Sequence, residues 1–276
     1  MNASAPTLAL ESNDGSNAAP VVLRAENIGV TFHGDGKPVE AIRKVDFELH
    51  QGETLAIVGP SGCGKSTLFN AIAGLLRPTS GHVDVGGVRV DDAAGHVGYM
   101  LQKDLLLPWR TVLDNVMLGL EIRKVPKPRA RPIALELIKA YGLAGFEHAK
   151  PAALSGGMRQ RVAIMRTLAF DPEVILLDEP FSALDFQTRL LMQADVSRII
   201  AERGKSAILV THDIGEAIAM ANRVLVLSAR PATVRALHVV NLPREGRDPA
   251  ALRTDPLFQE YFAKIWADLE KPVGVA

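Results

Sequence analysis

Nine consecutive residues, 59–67, have the types and spacing of a phosphate-binding loop. They fit the pattern G-x-x-x-x-G-K-[ST], in which glycines let the backbone curl around phosphate oxygens and point N–H groups inward. We expect Lys65 to reach the β- and γ-phosphates of a nucleotide and the Ser66 hydroxyl to ligate Mg²⁺. The residues predicted to contact the phosphates are Gly59, Pro60, Ser61, Gly62, Cys63, Gly64, Lys65, Ser66 and Thr67.

The sequence on either side predicts the elements that must position this loop. The apolar run 55–58 before it is typical of a buried strand, and residues 68–76 after it are typical of an amphipathic helix. A helix N-terminus favours anions because its N–H groups are free and its dipole is positive there. A chance glycine-rich turn is the alternative, but it would not explain why strand, Lys-Ser pair and helix coincide.

Two carboxylates follow a second apolar run, residues 174–177. A strand that delivers Asp178 beside a phosphate-binding loop predicts a Mg²⁺ ligand, directly or through water. The next residue, Glu179, is a candidate general base that orients and deprotonates an attacking water. Alternatively, the pair only begins a turn before Pro180.

Composition limits the classes of protein that need to be considered. The chain has 276 residues, 47% hydrophobic and 22% charged, with a formal net charge of zero. This balance argues against a nucleic-acid partner, since such proteins usually carry a basic excess. The single cysteine, Cys63, excludes an internal disulfide and suits a reducing cytosol. No apolar run approaches the roughly 20 residues of a membrane span, so we expect any membrane role to go through a partner.

The remaining pattern predicts an α/β fold. Residues 1–20 lack Lys and Arg, are rich in Ala, Ser and Asn, and are predicted to be a disordered tail rather than a signal peptide. Alternating apolar strands and helices favour a parallel sheet covered on both faces. The predicted strands are 21–32, 45–49, 81–90, 97–100, 174–177, 207–210 and 223–227, with a polar hairpin at 33–37. The predicted helices are a proline-interrupted stretch at 111–141, then 158–170, 189–202, 214–221 and 257–269; residues after 230 are otherwise weakly patterned.

A third motif, residues 154–160 (Leu-Ser-Gly-Gly-Met-Arg-Gln), reads as a helix N-terminus capped by Ser155, which can offer N–H donors to an anion. Together with the two phosphate-site motifs, it makes the chain resemble the nucleotide-binding subunits of ABC transporters over about residues 21–245. The usual signature of that family is Leu-Ser-Gly-Gly-Gln, and Met158 takes the place of the glutamine here.

The resemblance implies further site residues. Asp185, in the segment 182–185, matches the D-loop, which lies across a dimer interface. His212 matches the switch histidine that contacts the γ-phosphate and helps to hold Glu179, although a structural histidine is the ordinary alternative. Gln102 matches the Q-loop residue that senses Mg²⁺ and water and links to the transmembrane partner, and Phe32 occupies the place of the adenine-stacking aromatic. A core phenylalanine is the alternative for Phe32.

The resemblance also implies architecture and assembly. We expect a P-loop NTPase with a RecA-like parallel sheet core, an antiparallel β subdomain and a helical subdomain at about 103–165. The ATP-binding domain would span 21–245, followed by a C-terminal tail, 246–276, with a short helix. Two copies would close head-to-tail on ATP and Mg²⁺. The trans residues would be Ser155, Gly156, Gly157 and Asp185; the catalytic residues Lys65, Glu179 and His212; and the metal ligands Ser66, Gln102 and Asp178.

Three less specific features resemble the nitrate/sulfonate/taurine group of importer ATPases. They are the segment 105–116, Leu-Ser-Gly-Gly-Met-Arg-Gln-Arg at 154–161 and Ser-Ala-Arg-Pro at 228–231. That group implies a separate transmembrane permease, an indirect periplasmic substrate-binding protein and a peripheral position on the cytoplasmic face of the inner membrane. Trp109 would lie either on the surface that couples to the permease or in the core. A basic cluster would form a solvated loop or meet lipid headgroups or the permease. Its members are Arg123, Lys124, Lys127, Arg129 and Arg131.

Two other functions remain open from the sequence. One is a soluble ABC ATPase that acts in an assembly or repair complex without a permease. The other is a P-loop kinase, which would need an acceptor pocket and a lid rather than the segment 155–157 and His212. The other histidines show no metal-binding spacing.

Overall fold

A mixed β-sheet with helices on both faces forms the framework of the protein. The computed structural model describes residues 19–34, 36–91, 95, 97–182, 184–242 and 249–270. The strands are β1 (Val21–Phe32), β2 (Val39–His50), β3 (Thr54–Val58), β4 (Ser80–Val85), β5 (Val88–Arg89), β6 (Val97–Met100), β7 (Val174–Asp178), β8 (Ser206–Val210), β9 (Arg223–Leu227) and β10 (Ala232–Val239). The helices are α1 (Lys65–Ile72), α2 (Val112–Ile122), α3 (Lys127–Ala140), α4 (Gly156–Leu168), α5 (Phe186–Glu202), α6 (Ile214–Met220), α7 (Pro249–Arg253) and α8 (Pro256–Glu270).

The strand order is β5-β4-β1-β2-β10-β9-β3-β8-β7-β6. Neighbours from β9 to β6 pair in parallel, whereas β1 pairs antiparallel with β2 and β4. Every residue of β3, β7 and β8 is buried, which explains why these strands have nearly continuous apolar sequences. The predicted α/β class, with a parallel core and an antiparallel part, is confirmed.

Alternate residues of one strand point to two different hydrophobic cores. Ile175 and Leu177 of β7 pack with helices α2 to α5, whereas Val174 and Leu176 pack with α1 and the antiparallel strands. A third core lies between β3, β9, α6 and α8. Burying one such side chain contributes about 1.5–3 kcal/mol, so both faces of the sheet stabilise the strand ends that carry the candidate site.

Several predicted boundaries are wrong. The strand predicted at 45–49 begins at Val39, and the strand predicted at 81–90 is divided into β4 and β5 by Gly86 and Gly87, both with positive φ. The helix predicted at 68–76 spans Lys65–Ile72, and that predicted at 158–170 begins at Gly156. Strand β10 was missed because most of its residues are only half-buried and its apolar residues follow no clear alternation.

Only part of the basic cluster lies in a loop. Lys127, Arg129 and Arg131 lie on α3, whereas Arg123 caps the C-terminus of α2 and Lys124 follows it; all five are exposed. Pro128 does not interrupt α3 because it lies in the first turn, where a backbone N–H has no helical partner.

Other predictions were not tested by the fold. The predicted tail falls mostly on residues 1–18, outside the described residues, as do Asp35, His96 and Ala183. The predicted domain boundaries stay predictions. No helix in the described part of the chain combines the length and apolar character needed to cross a membrane.

Candidate functional site

The loop between β3 and α1 is shaped by glycines at positions that reject a side chain. Gly62 and Gly64 have φ values of 74° and 119°, in the region that favours glycine. A β-carbon on Gly64 would also lie 3.1 Å from the carbonyl oxygen of Ala41. The sequence therefore folds this loop into a turn that leads directly into the N-terminus of α1, which has no side-chain cap.

Lys65, the first residue of α1, is held over this loop. Its side chain is largely buried, with 7% of the residue exposed, and Nζ donates hydrogen bonds to the carbonyl oxygens of Gly59 (2.8 Å) and Pro60 (3.1 Å). An ammonium group has three hydrogens, so a third remains to donate to an anion. The loop thus presents a fixed positive charge beside the free N–H groups of a helix end.

Oxygen donors suited to a divalent cation lie at the end of β7. Asp178 is buried, the Ser66 hydroxyl hydrogen-bonds to it, and the Tyr99 hydroxyl lies 3.3 Å from its Oδ2. Burial raises the pKa of Asp178, and the adjacent charge of Glu179 raises it further, whereas Tyr99, Ser66 and Lys65 oppose the shift. A buried carboxylate beside a hydroxyl is the chemistry that Mg²⁺ prefers, so these residues fit the ion.

Glu179 is held between two other predicted site residues. Gln102 Nε2 donates to Glu179 Oε2 at 2.9 Å, and His212 Nδ1 lies 3.3 Å from Oε1. The backbone of Glu179 has a φ of 45°, which is rare outside glycine, and its N–H donates to the Val210 carbonyl oxygen at 2.8 Å. This conformation turns the carboxylate out of the β7 strand and fixes both of its oxygens.

These groups converge because of the strand order. Gln102 follows β6, and His212 follows β8. Asp178 is the last residue of β7, and Glu179 comes next. The loop 59–67 follows β3. The four strands are adjacent and parallel, so their carboxyl ends meet at one edge of the sheet.

Tyr99 was missed by sequence reasoning. Its hydroxyl lies between Asp178 and Asn70 Oδ1 (3.4 Å), and burial together with the Asp178 charge raises its pKa, so it stays a hydrogen-bond donor. Its position in the strand predicted at 97–100, three residues before Gln102, was a signal that could have placed it near this edge.

Phe32 ends β1 and is 45% exposed, so the core alternative for it is wrong. Its ring is available for stacking on a planar ligand, which stays a prediction.

The residues predicted to act in trans lie together on the surface, at the junction of α4 and α5. Ser155 caps α4 by accepting from the Met158 N–H at 3.3 Å, and Asp185 caps α5 by accepting from the Thr188 N–H at 3.0 Å. Hydrogen bonds from Thr188 lower the pKa of Asp185, which keeps it charged. A β-carbon on Gly157 would lie 3.1 Å from Thr188 Cγ2, so the two helix ends are in contact.

Ser155 and Gly156 are exposed. The side-chain hydrogen bonds from the first turns of α4 go to Asp104, Leu154 and Pro180. As far as the described residues go, none goes to the loop 59–67. The chain therefore brings Gln102, Asp178, Glu179 and His212 together with the loop 59–67 that precedes and includes Lys65 (the lysine loop). It turns the capped end of α4 outward.

Comparison with known proteins agrees with this geometry. The family model described as ABC transporter matches residues 42–182. The chain is 41% identical over 247 residues to an uncharacterised ABC transporter ATP-binding protein, YtlC, from Bacillus subtilis (90% of this chain, 95% of the relative). It is also 41% identical over 226 residues to the taurine import ATP-binding protein TauB from Escherichia coli K12 (81% of this chain, 88% of the relative).

Among solved structures, the chain matches a dimeric post-hydrolysis state of the ATP-binding cassette MJ0796 bound to ADP and Pi. The TM-score is 0.70 with 32% sequence identity, and the match covers 79% of this chain and 99% of the other.

Proposed function

Because this chain belongs to the ABC transporter family, as an ATP-binding subunit that hydrolyses ATP, we propose that it powers import through a separate membrane permease. The proposed cargo is a small anionic or zwitterionic solute of the nitrate/sulfonate/taurine type. The placement of Glu179 between Gln102 and His212, beside Asp178 and the lysine loop, supports ATP hydrolysis at this site. The import part is supported by identity to the taurine import protein over most of the chain.

In the proposed reaction, Lys65 and the N–H groups of the loop hold the β- and γ-phosphates of ATP. Glu179 accepts a proton from the attacking water, whose oxygen bonds to the γ-phosphorus as the bond to the β–γ bridging oxygen breaks and ADP leaves. Gln102 holds one oxygen of Glu179 and His212 lies beside the other, so the carboxylate stays aimed at the water. Phe32 would stack on the adenine.

Three side chains would hold Mg²⁺: Ser66, Asp178 and Gln102. The ion supplies charge stabilisation to the phosphate oxygens when it is bound.

A second copy of the chain would complete the site. The proposal is supported by the exposed, outward-facing end of α4 and by the dimeric relative. Ser155, Gly156 and Gly157 of one copy would donate to the γ-phosphate held by the other, with Asp185 beside them. ATP would then close the pair, and hydrolysis would release it.

Mixed dimers test this arrangement. A Lys65→Ala subunit combined with a Ser155→Ala subunit leaves one intact composite site in each mixed dimer, whereas either variant alone leaves none. If the sites act independently, we expect each mixed dimer to have up to about half the ATPase activity of a wild-type dimer. No recovery in verified mixed dimers would contradict the two-chain site.

The permease contact is proposed at exposed apolar residues on either side of Gln102. Trp109 is 70% exposed, so the core alternative is wrong for it, and Leu101 and Leu105 are exposed as well. A large aromatic on the surface is typical of the anchor of an interface. This contact would place the chain on the cytoplasmic face of the membrane, with a periplasmic substrate-binding protein acting only through the permease.

The permease and the cargo have a common test. Trp109→Ala should lose copurification with the permease and reduce uptake of labelled taurine, sulfonate or nitrate by about tenfold. Its basal ATPase activity should stay unchanged. Leu191→Ala, on the exposed face of α5, is the control and should change none of these. Retained uptake of all three solutes in cells that carry only the Glu179→Gln variant would contradict the cargo class. Absence of any copurifying permease for the wild-type chain would favour the soluble assembly or repair function instead.

A further inference from the structure

Helix α7, near the C-terminus, places an arginine against the segment that follows His212. Arg253 is the last residue of α7, and Leu252 beside it is buried in the core that contains α6. A β-carbon on Gly215 would lie 2.6 Å from Arg253 Nη1 and 3.1 Å from Asp213 Oδ1. The guanidinium therefore occupies space that exists only because Gly215 has no side chain.

The same guanidinium reaches the helix that Asp185 caps. Arg253 Cζ lies 5.8 Å from the ring centroid of Phe186, which is the first residue of α5. This is within the range of a cation–π interaction. One side chain thus contacts both the element that follows His212 and the element that follows Asp185.

Asp213, at the start of α6, is tied to α5 by a second arginine. Arg189 of α5 has Nη1 at 3.5 Å from Asp213 Oδ2 and donates through Nη2 to the Leu184 carbonyl oxygen at 3.1 Å. Among the described residues, Nε and Nη2 of Arg253 are buried without a hydrogen-bond partner. These two atoms therefore do not hold Arg253 in place through hydrogen bonds, and its position depends on packing against Gly215 and the Phe186 ring.

We propose that Arg253 is a positioning residue for ATP hydrolysis: it keeps the start of α6 and the start of α5 in a fixed relation, so that His212 stays beside Glu179. The inference rests on the proposed roles of His212 and Asp185. It extends the functional part of the chain to α7, beyond the residues 42–182 that match the family.

Two single variants and their combination test the contact. Arg253→Gln removes the charge, whereas Gly215→Ala leaves it and fills the space. Each should lower kcat for ATP hydrolysis by about 3- to 10-fold and leave KM for ATP within about twofold, since neither residue contacts the nucleotide in the proposed site. The double variant should be no slower than the slower single variant, because both changes remove one contact. Arg253→Lys should restore much of kcat.

The matched control is Arg198→Gln, an exposed arginine of α5 that pairs with Glu202 and should keep wild-type kinetics. Wild-type kcat in Arg253→Gln, with His212→Ala inactive, would overturn this inference alone. Full turnover in His212→Ala would overturn both the role proposed for His212 and this inference. The rate should also be expressed per folded, ATP-binding molecule. If the loss of kcat then disappears, Arg253 has a purely structural role and the inference is overturned as well.

Discussion

Glu216 is a buried carboxyl whose protonation should make stability depend on pH. It lies on α6, is 4% exposed, and accepts a hydrogen bond from the Thr211 hydroxyl at 3.1 Å through Oε2. Within the described residues, its Oε1 has no hydrogen-bond partner. Burial raises the pKa of Glu216 from 4.5 to about 8, and the charge of Asp213 adds to the shift, whereas Thr211 and Arg189 oppose it.

The sign and size of the effect follow from linkage. Between about pH 4.5 and 8 the folded chain binds more protons at this site than the unfolded chain, so the free energy of unfolding falls as pH rises through that window. At about 1.4 kcal/mol per pKa unit, the full shift corresponds to roughly 5 kcal/mol as an upper bound. Glutamine resembles the protonated acid and does not titrate, so Glu216→Gln should remove this dependence.

Urea unfolding at several pH values provides the assay. We expect Glu216→Gln to exceed the wild-type free energy of unfolding by about 1 kcal/mol or less at pH 5 and by several kcal/mol above pH 8. Glu136→Gln, on the exposed face of α3, is the matched control and should change stability little at any pH. A Glu216→Gln difference that is the same at pH 5 and pH 9 would refute the reasoning.

Three further variants probe the nucleotide site. Glu179→Gln should bind ATP but hydrolyse it at least about 100-fold more slowly, so that an ATP-bound dimer accumulates on size exclusion; full turnover would remove Glu179 from the role of base. Tyr99→Phe removes a hydrogen bond of about 1 kcal/mol from Asp178 and should raise the Mg²⁺ concentration for half-maximal activity several-fold, which an unchanged titration would contradict. Phe32→Ala should weaken ATP binding by roughly 2- to 10-fold and Phe32→Tyr should not; equal affinities of all three proteins would exclude stacking.

The strands that carry the site could be predicted from the sequence because they are buried on both faces. Strands β3, β7 and β8 have nearly continuous apolar sequences, and each is followed by a recognisable polar motif. Such patterns are local, so reading along the chain is sufficient to find the loop 59–67 and the candidates Asp178 and Glu179, whereas His212 was predicted from the resemblance to ABC transporters. The hydrogen bonds from Tyr99 to Asp178 and from Gln102 to Glu179 join residues far apart in the sequence, and the sequence alone did not predict them.

Features that depend on packing were harder to predict. The φ of 45° at Glu179 accompanies a hydrogen bond from its N–H to the Val210 carbonyl oxygen of β8, and no pattern around residue 179 indicates either feature. Most residues of strand β10 are only half-buried, so it lacks the apolar run that marked the other strands. Arg253 is more than 40 residues from His212 in sequence, and only the docking of α7 on α6 brings it near Gly215.

The order of the strands gives His212 its place in the site. Because β8 lies between β3 and β7, the residue that follows β8 must lie between the lysine loop and Glu179. Its ring is more than half exposed and approaches Glu179 at 3.3 Å, so its position depends on how firmly Asp213 and the start of α6 are held. The buried strands fix the loop 59–67 and the carboxylates, whereas His212 depends on partly buried arginine side chains from α5 and α7. Changes in turnover without loss of ATP binding should therefore map to Asp213, Gly215 and Arg253 rather than to the strands.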